Sequence, residues 1–267
     1  MLAIVNAQIV LENEILKNGI LLIENGRIIN FGDNHDVKVP ESADIFDANG
    51  LYVGPGFVDI HCHGGGKFRF DSEPVEAANF FLNYGTTTVL PTFYTDITPN
   101  EYIEAIDRVT TAIDNGLAEN IAGFYMEGPY TNEKYGASPE KNCWRGEIKA
   151  EDYEKVVVRA GNYAKVWVIA PERVGIEAFL KKANEVNNNV TISVGHSEAT
   201  PTEIEKLKKY GINLLTHCTD ATGRAPCPAG TRNCGPDEAC FLDDDMYAEV
   251  ICDSQGIHVN RDMLKLI

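Results

Sequence analysis

Two histidines separated by one residue stand in the segment DIHCHGGG, residues 59–66. Side chains alternate along a β-strand, so His61 and His63 point to one side of the strand while Cys62 points to the other. Imidazole nitrogen binds Zn, Fe, Ni or Cu, and the three glycines that follow leave room for a ligand. The segment therefore predicts a clamp of two nitrogens for a metal ion.

Residue types that bind metals recur downstream, each time at the end of an apolar run typical of a strand. Glu127 ends one such run, His196 another and His217 a third. A carboxylate between two pairs of histidines can bridge two metals, which together lower the pKa of a water molecule. Four of the six histidines end strands, which favours one shared site over four separate interior histidines, whereas His35 lies in a predicted turn and is assigned nothing. The pattern predicts metal-assisted hydrolysis.

The elements that must position these residues alternate between apolar strands and charged helices from residue 53 onward. Thr98-Pro99 and Thr200-Pro201 are typical of a helix N-cap followed by proline at the first helical position. Such alternation predicts a parallel sheet whose C-terminal strand ends carry the site. Seven strands are predicted, in the segments FVDIHCH, TTTVLPTF, IAGFYMEG, AKVWVIAPE, VTISVGHS, INLLTHC and YAEVICD.

The predicted fold class is α/β, a TIM (β/α)8-type barrel of the metal-dependent hydrolase kind with seven of its eight strands present. The eighth strand is expected beyond Ile267. Residues 1–52 instead indicate short strands and turns, with a hairpin signal at Asn25-Gly26. We therefore predict two domains: an N-terminal part of a small β-sandwich at 1–52, and an incomplete barrel with the metal site at 53–267.

The composition excludes some classes of partner. Acidic residues outnumber basic residues by 40 to 23, and the net charge of -17 repels nucleic acid and anionic membrane surfaces. We expect no signal peptide and no membrane segment. Seven cysteines, an odd number, favour free thiols in the cytoplasm. The loop 218–240 holds four of them without a Cys-x-x-Cys pair, which favours ordinary thiols over a zinc knot.

Six segments occur in the order found in a known family: PGFVDIHCHGGG, MEGPY, IAPE, SVGHSEAT, LTHCTDATGR and DSQGIHV. In these segments, which extend from about residue 50 to the end, the chain resembles the amidohydrolase superfamily and, within it, the N-acetylglucosamine-6-phosphate deacetylase family. The resemblance implies two divalent ions, one held by His61, His63 and Glu127 and the other by Glu127, His196 and His217. Zn, Fe, Mn and Co all suit these ligands. The resemblance also implies a homodimer.

The resemblance implies that an amino-sugar substrate contacts the backbone around Asp220-Ala221, the guanidinium of Arg224, and His258. Guanidinium matches phosphate oxygens in pairs, which suits Arg224 to a sugar phosphate. Three features depart from the family. Asp220 replaces the usual Asn and opposes phosphate binding, Ser138 replaces a histidine that contacts substrate, and the segment APCPAGTRNCGPDEACF lengthens a loop beside the pocket.

The leading hypothesis is a metal-dependent amide hydrolase that deacetylates N-acetylglucosamine 6-phosphate to glucosamine 6-phosphate and acetate. The resemblance implies that the catalytic Asp ends the eighth strand, beyond Ile267. Asp253 is the nearest substitute within the chain, although its other predicted role is to orient the QGIH loop. Asp220 and Ser138 favour another cyclic-amide or N-acyl hydrolase of the superfamily. A third hypothesis is an inactive metal-binding fragment that lacks the catalytic Asp.

Overall fold

The structure is a computed structural model that describes residues 1–228 and 230–267 in two compact units, Met1–Phe57 and Val58–Ile267. The first unit contains a five-stranded mixed sheet, the N-terminal sheet portion that the sequence predicts. Its strands are β1 (Leu2–Val10), β2 (Ile15–Glu24), β3 (Arg27–Asp33), β4 (Asp44–Asp47) and β5 (Tyr52–Val53). β2 is antiparallel to β1 and β3, whereas β4 and β5 pair in parallel with β1.

The predicted hairpin turn at Asn25-Gly26 is confirmed. Both residues have positive φ, 52° and 72°, and Glu24 pairs with Arg27 across the turn. Positive φ at both central positions is the backbone that a two-residue turn needs to match the twist of its strands, and Asn and Gly tolerate it best. The turn fixes the register of β2 against β3.

The second unit is built on a curled parallel sheet of seven strands. They are β6 (Phe57–Cys62), β9 (Thr86–Phe93), β10 (Phe124–Met126), β11 (Ala164–Ile169), β12 (Thr191–Val194), β13 (Ile212–Leu215) and β14 (Tyr247–Ala248), with a small antiparallel pair, β7 (Gly64–Gly65) and β8 (Phe68–Arg69), after β6. The order across the sheet is β14-β13-β12-β11-β10-β9-β6. All seven predicted strands are present, and several end earlier than the apolar runs that predicted them.

Helices connect most of these strands, as the sequence predicts. They are α1 (Pro74–Asn83), α2 (Pro99–Asp114), α3 (Ala150–Ala160), α4 (Ile176–Val186), α5 (Pro201–Leu207) and α6 (Pro236–Phe241). Both predicted N-caps are confirmed, because the Thr98 and Thr200 hydroxyls accept hydrogen bonds from the backbone N–H groups of Glu101 and Glu203. Each glutamate also accepts a hydrogen bond from the N–H of its threonine, which completes a capping box.

Alternation along the strands divides the core of the second unit into two layers. In β11, Trp167 and Ile169 belong to the large cluster that includes residues of the helices, whereas Val166 and Val168 belong to a smaller cluster with Tyr125. Successive strand side chains point to opposite faces, so both faces of this sheet are buried. This explains why the strands are almost continuously apolar in sequence.

The composition predicts that the chain has no membrane segment and that its cysteines are free thiols. Within residues 1–228 and 230–267, no helix combines the length and the apolar character that a membrane span requires. All seven cysteines are free thiols. In the same described residues, the clusters of potential metal ligands contain histidine and glutamate and no cysteine.

Candidate metal centre

The five predicted metal ligands lie at one edge of the parallel sheet, at the C-terminal ends of four strands. His61 lies in β6 and His63 just beyond it, and Glu127 follows β10 directly. His196 follows β12 and His217 follows β13, each with a positive φ, 46° and 29°. Non-glycine residues seldom adopt this backbone, and such strain concentrates at functional sites.

The carboxylate of Glu127 joins two pairs of histidines, one at each oxygen. Oε1 lies 2.8 Å from His196 Nε2 and 3.0 Å from His217 Nε2. Oε2 lies 3.1 Å from His63 Nε2 and 3.5 Å from His61 Nε2. Each trio of donor atoms lies within 4.8 Å, close enough to hold one ion. The structure therefore brings all five predicted residues together, in the two groups that the resemblance implies.

The charges of this cluster are strongly coupled. Burial raises the pKa of the Glu127 carboxyl, but the charge of His61 and the hydrogen bonds from His196 and His217 outweigh burial and hold that pKa well below its usual range. Burial lowers the pKa of His61, yet Glu127 and Glu249 outweigh this effect and raise the pKa to about 10. A carboxylate that is ionised and 3% exposed attracts cations strongly.

The donor atoms fit a divalent ion. His217 Nδ1 lies 3.1 Å from the Asp220 carbonyl, which can only accept, so the neutral ring keeps its proton on Nδ1 and leaves the Nε2 lone pair for an ion beside Glu127. His196 Nε2 lies 3.1 Å from His217 Nε2, so two ring nitrogens and one carboxylate oxygen converge on the same point. Glu127 Oε2 is buried and makes no hydrogen bond to the described residues. Convergent lone pairs of this kind are the donor set of a metal site.

The loops that carry His196 and His217 are held by carboxylates further from the centre. Glu172 accepts hydrogen bonds from the Ser197 hydroxyl at 2.7 Å and the Glu198 N–H at 2.8 Å. Asp237 accepts from the Thr219 N–H at 2.8 Å and from the Thr222 hydroxyl at 2.6 Å. Because these bonds fix the backbone next to each histidine, they limit the positions that the imidazoles can take.

The prediction that the glycines after His63 leave room for a ligand is wrong for Gly64 and Gly65. A Cβ on Gly65 would overlap the ring of Phe80, and a Cβ on Gly64 would overlap the backbone of Phe68. These glycines belong to the short β7–β8 pair and allow close packing beside the site. The space that their missing side chains create is filled by protein.

The sequence profile of the amidohydrolase family matches residues 52–248, which is most of the chain. The chain belongs to the amidohydrolase family. Amidohydrolases are metal-dependent, and the two His and Glu groups are metal-binding candidates of the kind that this family requires. The superfamily resemblance predicted from the six segments is thereby confirmed.

Among amidohydrolases, this chain is similar to N-acetylglucosamine-6-phosphate deacetylases. It is 27% identical to the Bacillus subtilis enzyme over 96% of this chain and 64% of that one. It is 28% identical to the Haemophilus influenzae enzyme over 97% and 65% of the two chains. The crystal structure of the Thermotoga maritima deacetylase matches with a TM-score of 0.76 and 27% identity, over 99% of this chain and 66% of that one. The chain thus spans less than two thirds of each relative's length.

The predicted substrate-binding residues lie in two settings. Asp220 and Ala221 are in the loop after His217, where the Asp220 carbonyl contacts the His217 ring. Arg224 forms an ion pair with Glu238, and His258 Nδ1 lies 3.1 Å from Asp253. Among the described residues, neither Arg224 nor His258 makes a hydrogen bond to a metal-binding candidate, and their substrate role stays a prediction.

Asp253, the nearest substitute for the catalytic Asp, organises its own loop. Its carboxylate accepts hydrogen bonds from the backbone N–H groups of Gln255, Ile257 and His258, at 2.9 to 3.1 Å. It belongs to neither of the two metal-binding groups found among the described residues. These contacts match the loop-orienting role rather than an acid/base role.

Three residues at the site escaped sequence reasoning. The ring of Tyr94 lies 5.9 Å from the ring of His63 and 5.7 Å from that of His196, and burial raises the pKa of its hydroxyl to about 12. Tyr125 and Glu249 lie beside His61. Glu249 directly follows β14, so the rule that found Glu127, a polar residue at a strand end, finds it once the strand is ended at Ala248.

Proposed function

We propose that this chain carries the metal centre of an amide hydrolase that deacetylates N-acetylglucosamine 6-phosphate to glucosamine 6-phosphate and acetate. The observation that carries the proposal is the Glu127 carboxylate, with one histidine pair at each oxygen, in an amidohydrolase similar to deacetylases over nearly its whole length. Amide hydrolysis is a reaction that such a donor set serves when it is loaded with metal.

The site is suited to two divalent ions. His61, His63 and Glu127 would hold one, and Glu127, His196 and His217 would hold the other, with Zn, Fe, Mn and Co as the candidates. When bound, such ions polarise an amide carbonyl and make water a stronger nucleophile at neutral pH. The protein itself contributes an ionised, buried carboxylate and, on the neutral His217 ring, a nitrogen whose lone pair faces inward.

The remaining tasks fall to residues around the centre. Arg224 is the proposed phosphate ligand, and its guanidinium would exchange the Glu238 carboxylate for phosphate oxygens. His258 and the backbone around Asp220-Ala221 are the proposed contacts to the sugar. Proton transfer to the leaving amine stays assigned to an Asp beyond Ile267. A homodimer and a cytoplasmic location complete the proposal, and the seven free thiols support that location.

A second candidate is another cyclic-amide or N-acyl hydrolase of the same superfamily. Two observations favour it: Arg224 is already paired with Glu238, and Asp220 adds a negative charge in the loop beside His217. A substrate without phosphate would not require Arg224 to leave Glu238 and would not be repelled by the charge of Asp220. Ser138, which stands just before a 3-10 turn at Pro139–Lys141, offers a shorter side chain than the histidine of the family.

The test is acetate release by the metal-loaded protein, expressed from the longest reading frame that contains this sequence. N-acetylglucosamine 6-phosphate, N-acetylglucosamine and a dihydropyrimidine as cyclic amide are supplied separately, with Glu127→Gln as the inactive control. We expect acetate from the phosphorylated sugar, and at least tenfold less from the unphosphorylated one. Turnover of the dihydropyrimidine alone would support the second candidate. Metal uptake without turnover of any of the three would overturn both and favour the inactive fragment.

A further inference from the structure

We infer that Glu249 is a positioning residue for the metal ligand His61. The inference rests on the proposed metal site and is independent of the substrate. Glu249 follows β14, and its backbone is fixed on both sides of the peptide: its N–H donates to the Leu215 carbonyl at 2.9 Å, and its carbonyl accepts from the Cys218 N–H at 2.7 Å. Its side chain is 12% exposed and points toward β6.

The contact of Glu249 with His61 is on the side of the ring that faces away from Glu127. Glu249 Oε2 lies 3.3 Å from His61 Nδ1, while His61 Nε2 lies 3.5 Å from Glu127 Oε2. A carboxylate only accepts, so it selects the tautomer with the proton on Nδ1 and leaves a lone pair on Nε2. That tautomer is the one that binds a metal at the Glu127 side.

A second contact fixes the plane of the same ring. The ring of His61 stacks on the ring of Tyr125, with centroids 4.3 Å apart and planes at 27°. The Tyr125 hydroxyl donates to Glu249, with its oxygen 2.8 Å from Oε1 and 2.9 Å from Oε2. Stacking on Tyr125 therefore fixes the plane of the His61 ring, and the contact with Glu249 fixes how the ring is turned within that plane. Tyr125 contacts both His61 and Glu249 and so links these two constraints.

The chain of hydrogen bonds behind Glu249 ends on neighbouring strands. Since Tyr125 gives its only hydrogen to Glu249, it accepts from the Thr216 hydroxyl at 2.8 Å, and Thr216 in turn accepts from the Ser193 hydroxyl at 2.5 Å. Every donor in this series points toward the carboxylate. Hydrogen bonds arranged in this way hold the partly buried Glu249 carboxylate in one position.

With an ion bound at His61, this arrangement would form a carboxylate–histidine–metal relay, in which an outer carboxylate orients the ligand and raises its basicity. Loss of such a partner typically weakens metal affinity by about 10- to 100-fold. Within the described residues, Glu249 is in neither metal-binding group, so it acts through His61 and not as a ligand.

The test is a Co²⁺ titration of the metal-free protein, followed by the visible spectrum of the ion and by competition with a chromophoric chelator. Glu249→Gln keeps the size of the side chain and removes its charge, and Glu205→Gln, at an exposed position of α5, is the matched control. We expect Glu249→Gln to weaken one of the two Co²⁺ sites by about 10- to 100-fold and to alter its absorption band. Glu205→Gln should match the wild type.

A double-mutant comparison separates positioning from a general loss of structure. In a His61→Ala background, Glu249→Gln should leave the remaining Co²⁺ affinity unchanged, because the ring on which Glu249 is inferred to act has been removed. Tyr125→Phe, unlike Tyr125→Ala, keeps the ring that stacks on His61 and removes only the hydroxyl that donates to Glu249. We expect Tyr125→Phe to lower the Co²⁺ affinity less than Glu249→Gln does.

Equal loss in both backgrounds, or a change below twofold in Glu249→Gln, would overturn the inference and leave the proposed function standing. A wild-type protein that takes up no Co²⁺ would overturn the metal centre and this inference together. If the wild-type protein binds Co²⁺ normally but releases no acetate, only the proposed substrate is overturned. The role of Glu249 is then decided by the Co²⁺ titration alone.

Discussion

Among single residues, Glu127 has contacts that no other ligand shares, because each of its oxygens faces a different pair of histidines. His63, in contrast, contacts only one oxygen and is half exposed. The two residues therefore differ in how much of the centre depends on them. Removal of a shared ligand affects both groups, whereas removal of a terminal ligand affects one.

Metal stoichiometry measures this difference. We expect two ions per chain in the wild type, one in His63→Ala, and fewer than one in Glu127→Gln, after dialysis and quantification by mass spectrometry. His258→Asn is the control, because that histidine is exposed and pairs with Asp253. One ion per chain in both the wild type and His63→Ala would contradict a two-ion centre.

Metal uptake should also be linked to protons. In the metal-free protein His61 has a pKa of about 10 and the pKa of His217 is raised, since the effect of the carboxylates outweighs burial. Ligation requires neutral rings, so uptake near pH 7.5 releases protons and apparent affinity rises with pH toward 10. The stability of the metal-free fold depends on pH in the opposite direction. The raised pKa values stabilise this fold fully below about pH 6.5, and this stabilisation is lost as pH rises through 10.

Calorimetric titration in two buffers with different heats of ionisation counts the released protons. We expect at least one proton per chain at pH 7.5 in the wild type and fewer in His61→Ala. An observed heat that does not depend on the buffer would show that the rings are already neutral, and would contradict the linkage.

At the scale of elements, strand ends explain both the success and the errors of sequence reasoning. The βα alternation predicts which apolar runs become strands, and parallel strands must end at one edge, so five ligands from four strands meet there. Strand boundaries are less well determined, because apolar residues resume at 250–252, beyond Glu249, whereas the ladder already stops at Ala248. For this reason the sequence predicts Asp253, and not Glu249, as the acidic residue at the end of this strand. The role of Gly64 depends on the backbone of Phe68 and that of Gly65 on the ring of Phe80, and spacing reveals neither contact.

Gly195, between β12 and His196, gives a prediction at this scale. A Cβ there would lie 2.7 Å from the Thr216 Cβ and 2.9 Å from Val168 Cγ1, so Gly195→Ala must push β12, β13 and β11 apart at the site. Overpacking of this kind costs about 1–3 kcal/mol of unfolding free energy. Because Thr216 precedes His217, Co²⁺ affinity should fall as well. Urea unfolding of the metal-free variant measures the first effect, and unchanged values in both assays would contradict the packing argument.

At the scale of the whole molecule, the metal ligands can affect stability because they come from distant positions in the chain. They join positions from His61 to His217, and they come from β6, β10, β12 and β13 of one parallel sheet. A bound ion therefore links elements that meet only in the folded state, and binding to the folded state alone raises its stability. Removal of metal should consequently affect the melting of the entire second unit.

Calorimetric melting with and without a chelator tests this coupling. At a free metal concentration 100 times Kd, one site contributes about 2.7 kcal/mol, which corresponds to a Tm increase of roughly 5–10 °C for a unit of this size. The chelator should abolish the increase, and Glu127→Gln should melt at the same temperature in both conditions, because it lacks the carboxylate that both groups share. If Glu127→Gln gained as much stability from metal as the wild type, the ion would be bound elsewhere on this acidic chain, and the two histidine pairs would not be its site.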